Sequence, residues 1–116
     1  MFIAALVTAD VAAADPPEKL FTLTISRGVV PDAQRVLRVD KGDAVRIRLT
    51  SDAAGEIHLH GYRLEAKLVP GQPTELVFKA YATGRYRIEW HGAGDTGAAG
   101  GGHHSAPLAR LEVRPK

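Results

Sequence analysis

The chain carries five histidines and no cysteine. His58 and His60 are two residues apart in a stretch of alternating polarity, so on a strand both imidazoles leave the same face. His91 closes a later alternating run, just before residues 92–102, which read GAGDTGAAGGG. His103 and His104 stand where the chain returns to its last alternating run. A hairpin between those two runs brings His91 to the same end of a sheet as His103 and His104. The alternation alone does not carry His58 and His60 to that end. Three or four neutral imidazoles suit Cu(II), and serve Zn(II) or Ni(II) less well. Metal-bound imidazole must be unprotonated, so the affinity of such a site falls below about pH 6.5. The H-x-H spacing by itself is a short motif, and each histidine also reads as an ordinary strand or loop residue. What points to a metal is that all five gather on strand ends and one loop.

Other chemistry is sparse. Without cysteine there is no disulfide, no thiolate site and no cysteine nucleophile. Ser105 follows His104 directly, which is poor geometry for a nucleophile and its base. Glu56 shares a face with His58 and His60 and has the spacing to ligate an ion or accept from an imidazole N–H, but reads first as a solvated strand charge, with Glu65 on the far flank. The glycine-rich segment lacks the G-K-S/T and following helix of a phosphate loop. With no catalytic set, the chain is not expected to be an enzyme. A formal net charge of +2, with Lys and Arg spread through alternating runs, argues against nucleic acid.

The elements that must position the histidines are strands. Period-2 alternation runs from Leu20 onward. It predicts strands at 20–25, 36–39, 44–50, 56–60, 62–68, 74–79, 84–90 and 108–113. Val45, Ile47 and Leu49 fall on one face, with Arg46 and Arg48 on the other. Tyr86, Ile88 and Trp90 share an inward face, as do Ala109, Leu111 and Val113. Turn signals separate the runs, notably Asp40-Lys41-Gly42-Asp43 and Pro70-Gly71. Seven or eight short strands in 116 residues predict one all-β domain, a Greek-key sandwich or barrel. The segment 92–102 has little side-chain mass and is expected to be a mobile surface loop.

The N-terminus reads FIAALVTADVAAA over residues 2–14. It is apolar, too short to span a bilayer, and ends in small residues that fit an A-x-A cleavage site. The expectation is a signal peptide, or else an N-terminal tail, over 1–14. An extended lead-in follows over 15–19, and the domain spans 20–116. A cleaved signal places the protein in the periplasm or outside the cell, with no membrane span after its removal.

The run Gly84-Arg85-Tyr86-Arg87-Ile88-Glu89-Trp90 resembles the strand of plastocyanins and other cupredoxins that ends in the copper cysteine. Ala109-Arg110-Leu111-Glu112-Val113 resembles their last strand, and Val39-Asp40-Lys41-Gly42-Asp43-Ala44-Val45 their V-x-x-G-D-x-V hairpin. Glu56-Ile57-His58-Leu59-His60-Gly61 falls where cupredoxins place the first copper histidine. It is also similar to the H-x-H-G motif of multicopper oxidases, although the companion H-C-H motif is missing. The resemblance covers roughly Leu20 to Arg114 and is closest to bacterial cupredoxin-like domains that have an H-x-H-G-Y strand and lack the cysteine. It implies a cupredoxin-like sandwich. It places His58 at the first-histidine position, Trp90 at the cysteine position, His103 or His104 near the second histidine, and Ala106 or Pro107 where the axial methionine belongs. A blue-copper site needs a Cys thiolate, so electron transfer of that kind is excluded. A tryptophan in that pocket leaves either no metal or one displaced toward His60, His91 and His103.

Two functions remain. One is a periplasmic metal-binding protein that holds Cu(II), or zinc, through His58, His60, His91, His103 and His104. Its role would be copper binding, delivery or tolerance, with the metal ion and a periplasmic protein as partners. The other is a metal-free cupredoxin-like module for protein interaction or structure.

Overall fold

The computed structural model describes residues 18–93 and 107–116. The expected signal peptide, most of the lead-in, the glycine-rich loop beyond Ala93, and His103, His104 and Ser105 lie outside these described residues. Eight strands follow in order: β1 (Glu18–Ile25), β2 (Val36–Asp40), β3 (Ala44–Ser51), β4 (Gly55–Leu59), β5 (Leu64–Leu68), β6 (Thr74–Lys79), β7 (Gly84–Gly92) and β8 (Ala109–Arg114). A 3-10 turn at Asp32–Gln34 interrupts the β1–β2 connection.

The strands form two sheets. One has three strands in the order β1-β3-β6, and the other has five in the order β2-β8-β7-β4-β5. β1 runs parallel to β3, and β2 parallel to β8; the remaining neighbours are antiparallel. This is the all-β Greek-key sandwich that the alternation predicts. In β3, Val45, Ile47 and Leu49 are buried and Arg48 is exposed. They meet Leu23 and Ile25 of β1, and from the facing sheet Leu37, Val39, Ile57, Leu59, Ile88, Leu111 and Val113. Each such side chain contributes about 1.5–3 kcal/mol when taken out of water. The two inner faces therefore hold the sheets together, while the outer faces stay free for polar residues.

Charge pairs follow the register on the outside of the smaller sheet. Arg46 of β3 donates from Nε and Nη2 to the two Glu18 oxygens of β1 at 3.0 and 3.1 Å, and also binds Glu75 of β6. One guanidinium thus ties all three strands of that sheet.

Three elements differ from the expected boundaries by two residues: β1, β5 and β7, which runs on to Gly92. β1 begins at Glu18, inside the segment read as a lead-in. β5 begins at Leu64, so Tyr62 stands in a turn and not on a strand. Gly61, at φ +87°, breaks the alternation there. Tyr62 swings under the 80–84 loop, where it is buried against Phe78, Tyr81 and Tyr86. Its hydroxyl donates to the Ala82 carbonyl at 2.8 Å and accepts from the Ala82 N–H at 3.0 Å. Burial pushes the phenol upward from its ordinary pKa, opposed by the bond to the Ala82 backbone.

The β2–β3 turn is held by Asp43. Its carboxylate accepts from the Asp40 N–H at 2.8 Å and from Lys19 Nζ at 3.2 Å. The backbone bond holds the carboxyl below its usual range, against a smaller desolvation effect and with help from Lys19. A depressed folded-state value means stability that is present above the unfolded carboxyl's pKa of about 3.9 and is lost as pH falls through the folded value.

Two outcomes follow for stability. Tyr62→Phe leaves the Ala82 N–H without its partner, while the Ala82 carbonyl keeps the Tyr86 hydroxyl at 3.2 Å, and is expected to cost about 1–3 kcal/mol in urea unfolding; an unchanged midpoint would show that water replaces the hydroxyl. Asp43→Ala is expected to lower stability at neutral pH, and its gap from the wild type to close as pH falls below about 4. A gap independent of pH would mean that the carboxylate charge has no part in the turn.

Candidate metal centre

β4 sets two different faces by simple alternation. Ile57 and Leu59 are buried, while Glu56 and His58 point outward, with His60 just past the strand end. On one side, β7 pairs antiparallel with the register Glu56↔His91, Ile57↔Trp90 and His58↔Glu89. On the other, β5 places Glu65 opposite His58. β7 runs to Gly92, so His91 is a strand residue on the same outer face and not the start of a loop.

This pairing supplies the step that alternation could not. The His58 ring lies 6.2 Å from that of His60, stacked, and 4.8 Å from that of His91, edge-on. His58 is about three-quarters covered, with 27% of its side chain exposed, while His60 and His91 are each 51% exposed. His103 and His104 fall outside the described residues, so the structure joins three of the five candidate histidines.

Each imidazole has a carboxylate. Glu56 Oε1 accepts from His58 Nε2 at 3.3 Å, and Glu65 Oε2 lies 3.7 Å from His58 Nδ1. Glu89 Oε1 accepts from His60 Nε2 at 3.1 Å and lies 3.6 Å from His91 Nε2. Its second oxygen takes Arg87 Nη2 at 2.9 Å. A carboxylate can only accept, so each of these contacts is a hydrogen bond when the facing ring nitrogen carries the proton. Carboxylates commonly orient metal-binding imidazoles in this way. As the side chains stand, no three His, Cys, Asp or Glu groups among the described residues converge on a metal position. Sequence reasoning missed Glu89, although the E-x-H spacing with His91 already put both on one strand face. It also read Glu56 as solvated, whereas the structure sets it against His58.

The inner face is filled with carbon. Trp90 packs on the core and lies over Gly28 and Gly55. A Cβ on Gly55 would sit 2.4 Å from the Trp90 ring and 2.6 Å from the His91 carbonyl oxygen. Ile57 opposes Trp90, so His58 and Trp90 point to opposite faces of the sheet. The resemblance placed these two at one copper site, and the register separates them. The residues present do not fit a blue-copper centre, since the chain has no cysteine and the corresponding position is Trp90. Histidine nitrogens on the outer face are the donors this chain offers.

A shallow depression of about 410 Å³ opens beside the histidines, lined by His58, Leu59, His60, Gly61, Arg63, Leu64 and Glu65.

No family model matches the sequence, and no curated protein matches it. Solved structures do match the fold. A copper nitrite reductase from Nitrosomonas europaea aligns with a TM-score of 0.58 and 18% identity, over 84% of this chain and 42% of that one. The multicopper oxidase mgLAC aligns with a TM-score of 0.61 and 19% identity, over 86% and 40%. A heme-copper terminal oxidase aligns with a TM-score of 0.62 and 22% identity, over 97% and 79%. The chain thus spans about two-fifths of the nitrite reductase and of the multicopper oxidase. The domain therefore has a cupredoxin-like fold, as the strand motifs imply.

The fit of Trp90 against Gly55 is directly testable. Gly55→Ala is expected to cost more than about 2 kcal/mol, because backbone as well as ring must move. Tryptophan emission should shift to the red. An unchanged unfolding midpoint and spectrum would mean that β4 and β7 are not held this closely.

Proposed function

We propose that this domain is a metal-binding protein that takes Cu(II) through His58, His60 and His91, and that it serves copper binding, delivery or tolerance in the periplasm. The observation that carries the reading is the contact of His58 with both other imidazoles on one exposed sheet face, each ring backed by a carboxylate. Imidazole nitrogens favour Cu(II) over Zn(II) at equal geometry. Bound copper would supply a Lewis-acidic, redox-active ion. The chain's own part is to present neutral nitrogens, orient them through Glu56 and Glu89, and leave the ion accessible from solvent. An ion on an open face can pass to an acceptor protein without unfolding the sandwich, which suits delivery better than storage. The copper nitrite reductase and multicopper oxidase among the matched structures support this reading. Among the described residues no helix is long and apolar enough to cross a membrane.

A second reading, a metal-free interaction module, is favoured by one observation: among the described residues no three donors converge as the side chains stand. The two readings differ in linkage. A ligand that binds only the folded state stabilises it by RT ln(1 + [L]/Kd), about 2.7 kcal/mol at a hundredfold excess over Kd.

A Cu(II) titration of metal-free, tag-free protein followed by electron paramagnetic resonance decides between them. One equivalent with a nitrogen-rich type 2 spectrum and a raised unfolding midpoint is expected. His58→Ala combined with His60→Ala should abolish that stoichiometric binding. Undiminished affinity in the double variant removes these residues as ligands, and no binding by the wild type leaves the interaction module.

A further inference from the structure

We infer that the β2-β8-β7 half of the larger sheet's outer face is a docking surface for an acidic segment of a partner protein. The inference goes beyond the copper reading and needs no metal. Alternation and register carry it. Arg38 of β2, Arg110 of β8, and Arg85 and Arg87 of β7 all stand at outward positions of adjacent strands. Arg38 and Arg85 each lie opposite Glu112, and Arg87 lies opposite Arg110. Four guanidiniums there share two carboxylates. Glu112 lies 3.2 Å from Arg38 Nε and 3.9 Å from Arg85 Nε, and Glu89 binds Arg87. The arginine side chains of these pairs are 52–78% exposed, the glutamates 21% and 26%. The carboxylates therefore lie low on the sheet, and the guanidiniums form the surface a partner meets. In Arg38 and Arg85 the pair runs through Nε, so the terminal amino groups are not used in it.

Stability does not account for this arrangement. On the smaller sheet the ratio is reversed: one guanidinium, that of Arg46, is held between Glu18 and Glu75. Like charges directly opposite each other on antiparallel strands are destabilising, and Arg110 faces Arg87 in just that way. On its other side Arg110 meets Val36, not a carboxylate. A stripe of like charge steers and orients a partner of opposite sign.

Spacing selects the kind of partner. Arg85 and Arg87 are two residues apart on one strand, about 6.7 Å, and neighbouring strands lie about 4.8 Å apart. An extended polypeptide repeats its same-side side chains at the same two-residue interval. Alternate carboxylates along such a segment can each meet a guanidinium fork and pass between Glu112 and Glu89. An anionic bilayer fits less well, because a surface-bound module inserts apolar side chains into it. Among the described residues Val36 is the one large apolar side chain exposed on these three strands.

The test uses the metal-free full chain and a fluorescein-labelled peptide of alternating Glu and Ser, followed by anisotropy at low and at physiological salt. Saturable binding that weakens as salt rises is expected. Arg85→Gln combined with Arg110→Gln leaves Glu89 and the histidines their contacts. It should weaken binding at least about fivefold, the loss of two exposed charge pairs. Arg48→Gln combined with Lys79→Gln makes the same change in net charge on the smaller sheet and should stay within about twofold of the wild type. Equal losses in the two double variants would reduce the effect to net charge and overturn the docking surface. So would the absence of binding by the wild type, or binding to phosphatidylglycerol vesicles alone. Arg110→Gln by itself should hold or raise the unfolding midpoint, since it removes a like-charge contact. A lowered midpoint would assign Arg110 to the fold and count against the proposal. With no metal present, none of these outcomes bears on the Cu(II) titration.

Discussion

The antiparallel pairing of β4 with β7 is the constraint on which the candidate site depends. Its register sets Ile57 against Trp90 and His58 against Glu89. Because side chains alternate with a period of two, a slip by one residue would exchange the faces. Either His58 would then be driven into the core or Trp90 turned into water. The tight seat of Trp90 over Gly55 and the depth of Ile57 make that slip costly. Hydrophobic packing on the inside therefore determines which polar groups meet on the outside.

Once the register is set, electrostatics organises the outer face. Glu89 is shared by His60, His91 and Arg87, so one carboxylate links two imidazoles and a guanidinium. Glu56 and Glu65 flank His58 in a similar way. These are half-exposed contacts, in which individual ion pairs add little stability. Their effect is on orientation: they hold the imidazoles in place on the outer face. The interior position associated with a thiolate is filled by an indole, and the chemistry-bearing side chains stand on the opposite side of the same sheet.

The places where local reasoning failed have specific causes. Tyr62 looked like the first residue of a strand because Tyr62, Leu64 and Ala66 continue an alternating pattern. Gly61 turns the chain before that pattern starts, and the tyrosine hydroxyl finds its partners at Ala82, twenty residues away. No local signal announces such a bond. Arg63 fell within the same expected strand, and its left-handed backbone became visible only with the turn in place. The shared placement of His58 and Trp90 implied by the strand motifs failed because motif position along a strand does not specify which face a residue takes relative to a neighbouring strand.

The amino-acid sequence by itself determined the all-β class, the position of nearly every strand, the inward sets of β3, β7 and β8, and the common face of His58 and His60. These follow from a two-residue period, which is a local property of an extended chain. It also excluded any thiolate chemistry, since that depends on composition alone. Only the tertiary structure decided that His91 joins His58, that Glu89 serves two histidines, and that Trp90 lies on the far side of the sheet. Each of these is a relation between strands about thirty residues apart, set by the register in which apolar side chains pack. Alternation along one strand carries no information about that register.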